Sequence, residues 1–305
     1  MPPRANSEDV FRKRWQALSR TVPRALAGDP RAVHKSRVAS RRVREALPIA
    51  LASAPPKKRR KLRTRIESVT RALGPVRELD VSIRLIEELA AEAPETASAL
   101  ERLRLDLQTE RQAQHEEMLE RLEDLDLQRL RSRAERLAAG VGDEPADGLP
   151  GTAVLLVRLT RRVEELEAAV EAAGPLYAPE PIHAVRIAVK KLRYAFELSR
   201  DLRLLASRGV LPRLRAMQET LGRLHDLQVL ASRVEACRSQ MPPSGPRAAA
   251  LGAITARLEA ECRELHARFL ARRDKLVAAV DQAHSETASR VSARNDLPAP
   301  RETVH

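Results

Sequence analysis

The chain has 305 residues and a formal net charge of +13, so it can bury a sizeable core and indicates an anionic partner. Aromatic residues make up only 2% and there are 11 Gly, which predicts helices almost throughout and a core of Leu, Val, Ile and Ala. No apolar run of about 18 residues is present, which excludes a membrane-spanning helix, and residues 1–15 have no apolar core for a signal peptide.

Gly, Pro and capping residues divide the chain into successive helices. In the first half, helices are predicted at 7–27, 31–53, 57–73, 75–92, 95–123 and 127–139. The stretch GVGDEPADGLPG, at 140–151, is predicted to be a linker. In the second half, helices are predicted at 152–173, 181–206, 209–221, 224–239 and 247–284, followed by a disordered tail over 285–305. The expected fold class is all-α, with helical halves over 7–139 and 152–284.

A row of basic side chains occupies the second predicted helix. His34, Arg37, Arg41 and Arg44 follow one another at steps of three, four and three residues, which places them near one face of a helix. Like charges at these spacings weaken an isolated helix, and only Glu45 offers a counter-charge within the row. The pattern therefore indicates a partner that carries negative charge.

The same row recurs in the second half of the chain at an offset of 149 residues. The five basic positions of the first row correspond, in order, to those of the second: His34, Arg37, Arg41, Arg42 and Arg44 to His183, Arg186, Lys190, Lys191 and Arg193. The segment at 73–81 also matches 221–229, at an offset of 148. These ordered matches predict an internal duplication. A pseudo-twofold arrangement of the halves would bring both rows into one central basic groove or pore.

The duplication also concentrates the positive charge. Residues 31–71 hold 14 Lys and Arg against two acids, and residues 182–225 hold 10 against three. A row of this length fits an extended polyanion such as a phosphate chain, whose oxygens accept charge-assisted hydrogen bonds. The predicted site comprises His34, Arg37, Arg41, Arg42, Arg44, His183, Arg186, Lys190, Lys191 and Arg193, and extends to Lys58, Lys61, Arg65, Tyr194 and Arg213.

The basic rows also have interpretations that involve no ligand. The rows could be a solvated face, but the recurrence of the same face favours binding. Acids and bases at 77–80 and 225–226 are expected to stabilise helix N-termini or to orient the rows through salt bridges. No phosphate-binding loop or catalytic motif is present, so no catalytic residue and no cofactor is predicted.

Metal chemistry is also not expected from these residues. The histidines have no Cys, Asp or Glu at ligand spacing, and Cys237 and Cys262 have neither metal-type spacing nor the number that a disulfide framework needs. Two alternatives stay open: a metal-dependent phosphohydrolase that uses the repeated histidines and nearby acids, or a nucleic-acid binder that uses the same groove. Aromatic side chains for base stacking are absent from the rows.

The two histidine motifs, His34-x-x-Arg37 and His183-x-x-Arg186, resemble the signatures of the CHAD family, the conserved histidine α-helical domain. The segments Leu73–Val81 and Leu221–Val229 are similar to its other recurrent motif. Lys35 and Glu78 depart from the residues common in the family, and the ExExK motif of an attached triphosphatase domain is absent. The resemblance covers about residues 8–284 and identifies a stand-alone binding domain.

The resemblance implies two four-helix bundles related by a pseudo-twofold axis, with a central basic groove. It also implies a non-enzymatic protein that binds inorganic polyphosphate, with phosphate or sulfate ions able to occupy the same site. The expected location is the bacterial cytoplasm, including polyphosphate granules. Neither a membrane nor a sequence-specific nucleic acid is an expected partner, and no oligomeric state is predicted.

Overall fold

The computed structural model describes residues 7–139, 151–205, 209–242 and 244–295, except for the side chains of residues 95, 138, 139, 294 and 295. Every regular element within these ranges is helical, which confirms the predicted all-α class. The helices are α1 (Ser7–Leu26), α2 (Pro30–Ala50), α3 (Pro56–Ala72), α4 (Gly74–Glu92), a 3-10 turn (Pro94–Thr96), α5 (Ala97–Glu123), α6 (Leu127–Ala139), α7 (Gly151–Ala173), α8 (Pro179–Asp201), α9 (Val210–Arg238) and α10 (Pro246–Asn295). Among the described helices, none has the length and apolar character needed to cross a bilayer.

The start of α2 is held by a cap and by contacts with α5. The Asp29 carboxylate accepts hydrogen bonds from the backbone N–H groups of Arg31 and Ala32, at 2.8 and 3.1 Å. The preceding Gly28 has a φ of +83°, a left-handed conformation that favours glycine. Arg111 of α5 donates to the Gly28 carbonyl at 2.8 Å. These contacts fix the helix end that carries the first histidine row.

The buried side chains form two cores, and each core draws on both predicted halves. One contains residues of α4 and α5 together with α7 to α10, including Phe196 and Phe269. The other contains Trp15 and the buried hydrophobic side chains of α1 to α3, together with Leu198 near the end of α8 and Val291 near the end of α10. The two halves therefore pack as one body rather than around separate cores. Residues 140–150 of the predicted linker lie outside the described residues.

Buried ion pairs join α2 to the second half of the chain. Glu45 is buried and accepts hydrogen bonds from Arg162, at 2.6 and 2.7 Å, and from Arg158, at 3.1 Å, both on α7. Burial acts to raise the pKa of Glu45, but Arg162 and Arg158 outweigh it, so the pKa is lowered. On α8, the buried Glu197 accepts from Arg42 at 2.9 Å. Because an unpaired buried charge is costly, these contacts hold the orientation of α2 firmly.

The predicted break between residues 221 and 224 is wrong. The helices expected at 209–221 and 224–239 are one continuous helix, α9. In the first half, Pro75 lacks a backbone N–H and α3 ends before it, whereas Arg223 at the corresponding position keeps its donor. Gly222 within α9 weakens the helix by about 1 kcal/mol relative to Ala, but Leu221 and Leu224 on either side are fully buried. Burial of these neighbours holds the helix together.

The tail expected to be disordered from residue 285 is helical as far as Asn295. Thr287 and Val291 lie four residues apart on one face of α10, and both are buried. Val291 belongs to the core that contains Trp15. Packing against the first half therefore stabilises a segment whose polar composition had indicated disorder. Residues 296–305 lie outside the described residues.

Candidate anion-binding site

A cavity of about 410 Å³ lies between α2, α4, α8 and α9. The two predicted rows reach it from α2 and α8, which contribute His34, Arg37, Arg41, His183, Arg186, Lys190 and Tyr194. The α4 and α9 helices add Arg77, Glu78, Gln218, His225 and Asp226. Gly74 at the start of α4 lies beside Arg37 of α2, since a Cβ atom there would make an ordinary van der Waals contact with Nη2 of Arg37 at 4.0 Å. The cavity therefore brings together members of both rows.

Five cationic side chains line this cavity: Arg37, Arg41, Arg77, Arg186 and Lys190. Within the described ranges, none of the five lies within 4 Å of a carboxylate oxygen in an ion pair. The acids of the cavity are Glu78 and Asp226, so the positive charge is in excess. Such a concentration of charge in a partly buried cavity is unfavourable without an anion.

The ionisation of the cavity reflects this repulsion. Burial lowers the pKa of Lys190 to about 7, and Arg41, Arg186 and Arg37 add to the effect. Burial likewise lowers the pKa of Arg37 to about 10, with further repulsion from Arg41 and Arg186. The Nε atom of Arg37 is buried and has no hydrogen-bond partner among the described residues. Both side chains would gain from a nearby negative charge.

Three histidines on the cavity wall favour the neutral state. Burial, with repulsion from Arg186 and His183, lowers the pKa of His225 to about 4. Partial burial also lowers the pKa of His34, where Arg77 adds repulsion, and of His183, where Arg186 does so. The rings of His183 and His225 lie with their centroids 5.0 Å apart. A neutral imidazole still has one N–H, so each can donate to an anion without adding charge.

An acidic side chain between the two halves moderates the charge. Burial raises the pKa of Asp226, while Arg186 and Arg77 act to lower it. The Oε1 atom of Gln218 on the same helix is buried without a hydrogen-bond partner among the described residues. The cationic and N–H donors of the wall thus outnumber its two carboxylates, Glu78 and Asp226, and an excess of donors is suited to an anion rather than a metal ion.

Comparisons with known proteins identify the family of this chain. The model of the CHAD domain family matches residues 9–235. The chain belongs to the CHAD domain family. Its structure is similar to that of the CHAD domain from the plant Ricinus communis, with 23% identity and a TM-score of 0.58, over 99% of this chain and 96% of that chain. It is also similar to PptA from Streptomyces chartreusis, with 20% identity and a TM-score of 0.58, over 90% of this chain and 96% of that chain. These likenesses show a shared fold. Among curated proteins, no match is found.

In this CHAD domain, four residues of the predicted rows lie outside the cavity. Each lies in an ion pair: Arg42 with Glu197 at 2.9 Å, Arg44 with Glu67 at 3.6 Å, Lys191 with Glu165 at 3.3 Å, and Arg193 with Glu197 at 3.5 Å. The structure therefore does not bring every member of the two rows into this cavity. Arg44 is turned only about 20° from Arg37, but it lies about 10 Å further along α2, where Glu67 of α3 pairs with it.

The other predicted residues are divided between two places. Lys58, Lys61 and Arg65 line a separate depression between α3 and α6. Arg213 is exposed and donates to the Gly209 carbonyl at 3.1 Å. Tyr194 does line the CHAD cavity, with the guanidinium of Arg193 over its ring at 4.8 Å from the centroid. Of the five residues to which the predicted site extended, only Tyr194 lines the cavity.

Sequence reasoning missed Arg77, Gln218, His225 and Asp226 as wall residues. Arg77 and the His225–Asp226 pair were interpreted as helix-end or salt-bridge residues, although their recurrence at an offset of 148 was visible. Two acids of the same motif do form salt bridges: Asp80 accepts from Arg111 of α5 at 2.6 Å, and Glu78 lies 3.8 Å from Arg233 of α9. Gln218 carries no comparable signal. Across the described ranges, no group of three or more His, Cys, Asp or Glu is arranged to hold a metal ion.

Proposed function

We propose that this CHAD-domain protein binds inorganic polyphosphate without hydrolysing it, and that the chain enters the cavity between α2, α4, α8 and α9. The observation that carries the proposal is the group of five cavity cations without an ion-paired carboxylate among the described residues. Each phosphate unit of the chain carries negative charge and oxygens that accept hydrogen bonds. A polyphosphate chain would therefore match both the charge and the donors of the wall.

The internal duplication supports the same site. Positions that correspond at offsets of 148 or 149 line the cavity from both halves: His34 and His183, Arg37 and Arg186, Val38 and Ile187, Arg41 and Lys190, Gly74 and Gly222, Arg77 and His225, Glu78 and Asp226, Val81 and Val229. We infer that the two halves meet here across a pseudo-twofold axis and form a central basic groove. A ligand made of repeating identical units fits a site made of repeated walls.

The proposed binding mode assigns different tasks to the wall residues. The guanidinium groups of Arg37, Arg41 and Arg186 donate pairs of hydrogen bonds to phosphate oxygens. Lys190 gains a proton as the anion arrives, because the negative charge offsets the neighbouring arginines. The histidines donate single N–H groups. The protein would act in the cytoplasm, at granules where polyphosphate collects.

Titration with long-chain polyphosphate at moderate salt tests this proposal. The cavity variant combines Arg37→Gln, Arg41→Gln, Arg186→Gln and Lys190→Gln. Hydrogen bonds to charged groups contribute about 1.5–3 kcal/mol each, so we expect the affinity to fall at least about a hundredfold. Wild-type affinity should also fall steeply as salt rises.

A control variant removes the same charge elsewhere on the surface. It combines Arg102→Gln, Arg104→Gln, Arg263→Gln and Arg268→Gln, which change exposed or partly exposed arginines paired within their own helices. This charge-matched control should bind nearly as tightly as the wild type. No binding by the wild type, or equal binding by the cavity variant and the control, contradicts the proposal. Phosphate release that depends on a divalent metal would instead support a hydrolase.

A further inference from the structure

A second basic surface lies on α3, away from the cavity. This helix contains eight Lys and Arg residues in the sequence PKKRRKLRTRIESVTRA. Its one acid, Glu67, is 3.6 Å from Arg44 of α2 and so is turned toward that helix. The exposed face of α3 consequently has positive charge without acids of its own.

Other surface helices in this chain balance their arginines locally. Arg102 pairs with Asp106, Arg161 with Glu165, and Arg131 with Glu135, each at a spacing of four residues. Such pairs stabilise a helix slightly, whereas like charges at these spacings weaken it. An ordinary solvated surface in this protein is therefore mixed in charge. The surface of α3 departs from that pattern.

Two depressions flank this helix. One, of about 550 Å³, lies between α3 and α6, and its floor includes Leu62 and Leu130. The other, of about 830 Å³, extends along α3 from Lys57 to Arg71 toward the end of α5. Lys61 and Arg65 line both, so the two depressions adjoin.

We define the α3 surface by the cations that line these depressions without an ion-paired carboxylate within 4 Å among the described residues: Lys57, Lys58, Arg60, Lys61, Arg65, Arg71, Arg129, Arg133 and Arg136. The acids beside them are Asp124 and Asp126. Asp126 accepts a hydrogen bond from the backbone N–H of Arg129 at 3.0 Å and so caps α6.

The α3 surface is connected to the cavity through Arg44. Arg44 follows the cavity residue Arg41 by three positions on α2, so the two are neighbours on that helix, and Nη1 of Arg44 is 3.6 Å from Oε1 of Glu67 on α3. Burial lowers the pKa of Arg44, Glu67 acts to raise it, and Arg41 and Arg63 act to lower it, so Arg63 lies near Arg44 as well. Arg41 lines the cavity and Arg63 belongs to α3. Positive charge therefore continues from the cavity along α2 to α3.

We propose that the α3 surface binds a second segment of the polyphosphate chain whose first segment lies in the cavity. This inference rests on the proposed function. Its consequence is a preference for long chains, because a short chain fills the cavity and cannot also reach α3. From Lys57 to Arg71 the helix is about 21 Å long at 1.5 Å per residue, which an extended polyanion can follow. The second segment binds intramolecularly once the first is held.

A phosphate chain fits this surface better than a nucleic acid. The lining residues of both depressions include no aromatic side chain among the described positions, so bases would find no stacking platform. The connection to the cavity also favours one continuous ligand. Duplex DNA is therefore included in the test as the competing ligand.

The test compares three ligands and two variants by titration. The α3 variant combines Lys57→Gln, Arg60→Gln, Lys61→Gln and Arg65→Gln, which are all exposed. The charge-matched control is the one defined above, with Arg102, Arg104, Arg263 and Arg268 changed to Gln. The ligands are tripolyphosphate, long-chain polyphosphate and duplex DNA. Circular dichroism and thermal unfolding check that each variant is folded.

We expect the α3 variant to bind long chains at least about tenfold more weakly than the control, and its salt dependence to be shallower by about three in log–log slope. Tripolyphosphate should bind both variants alike. Equal affinity of the α3 variant and the control for long chains overturns the inference, as does an equal loss for both ligands. If the α3 variant no longer binds duplex DNA but binds long-chain polyphosphate as tightly as the control does, the surface is a nucleic-acid site and the inference fails. If the wild type binds neither polyphosphate ligand, the proposed function fails as well.

Discussion

The charge on Lys190 should cost the folded protein stability in the absence of a ligand. Burial and the neighbouring arginines lower its pKa from 10.5 to about 7. One pKa unit corresponds to about 1.4 kcal/mol, so holding this side chain protonated in the folded state costs on the order of 5 kcal/mol. At pH 7, where it is about half protonated, the cost is on the order of 4 kcal/mol. Lys190→Met keeps the length of the side chain and removes the charge, and we expect it to raise the free energy of unfolding by up to this amount.

The sign of the pH dependence follows from proton binding. Between about pH 7 and pH 10 the unfolded chain holds a proton on Lys190 that the folded protein has released. Stability rises with pH wherever the unfolded state binds more protons. The loss of folding stability caused by Lys190 is therefore complete below pH 7 and disappears as the pH approaches 10. The gain from Lys190→Met should shrink over that range by up to about 1.4 kcal/mol per pH unit.

Urea unfolding at pH 6, 7, 8 and 9 measures this difference. Wild type and Lys190→Met are compared at each pH, and Lys191→Met serves as the control because Lys191 is exposed and pairs with Glu165. A gain from Lys190→Met that is the same at pH 6 and pH 9 would refute the reasoning. So would an equal gain from Lys191→Met, since that would assign the effect to the methionine side chain.

Two further predictions concern the cavity and its support. At pH 8 only about a tenth of Lys190 is protonated in the free protein, so long-chain polyphosphate should bind with uptake of about 0.9 proton. Calorimetry in two buffers of different ionisation enthalpy measures this uptake, and Lys190→Arg should abolish most of it. Glu45→Gln should lower the free energy of unfolding by about 3–5 kcal/mol, because Arg158 and Arg162 lose their buried carboxylate. Glu117 pairs with Arg121 at the surface and serves as the control. Glu117→Gln should change the free energy of unfolding, measured with urea, by at most about 1 kcal/mol.

The helices themselves were largely predictable from local sequence. The predicted helix at 127–139 agrees with α6, because its amphipathic pattern and flanking breaks are both local signals. The continuation of α9 through Gly222 was not predictable in this way, since burial of Leu221 and Leu224 decides it. The helical segment at 285–295 depends likewise on Val291 packing against the first half. Local composition does not indicate contacts between residues that are distant in the sequence.

The candidate site was predictable only in part. Steps of three and four residues placed His34, Arg37 and Arg41 together, as the cavity has them. The contact of Arg42 with Glu197 joins residues 155 positions apart, and no spacing rule indicates it. His225 was visible as part of a repeat, but its place on the wall depends on how α9 lies against α8.

The positions of the buried acids explain why the cavity keeps its positive charge. Glu45 follows Arg44 in the first row, yet its carboxylate is held by Arg158 and Arg162 of α7. At the corresponding position of the second row stands Tyr194, which lines the cavity without a charge. Glu197 is likewise occupied by arginines outside the cavity. Glu45 and Glu197 thus stabilise the packing of α2 against α7 and α8 and do not pair with the cavity cations. The same placement of these two acids therefore strengthens the packing of α2 and leaves the cavity with an excess of positive charge.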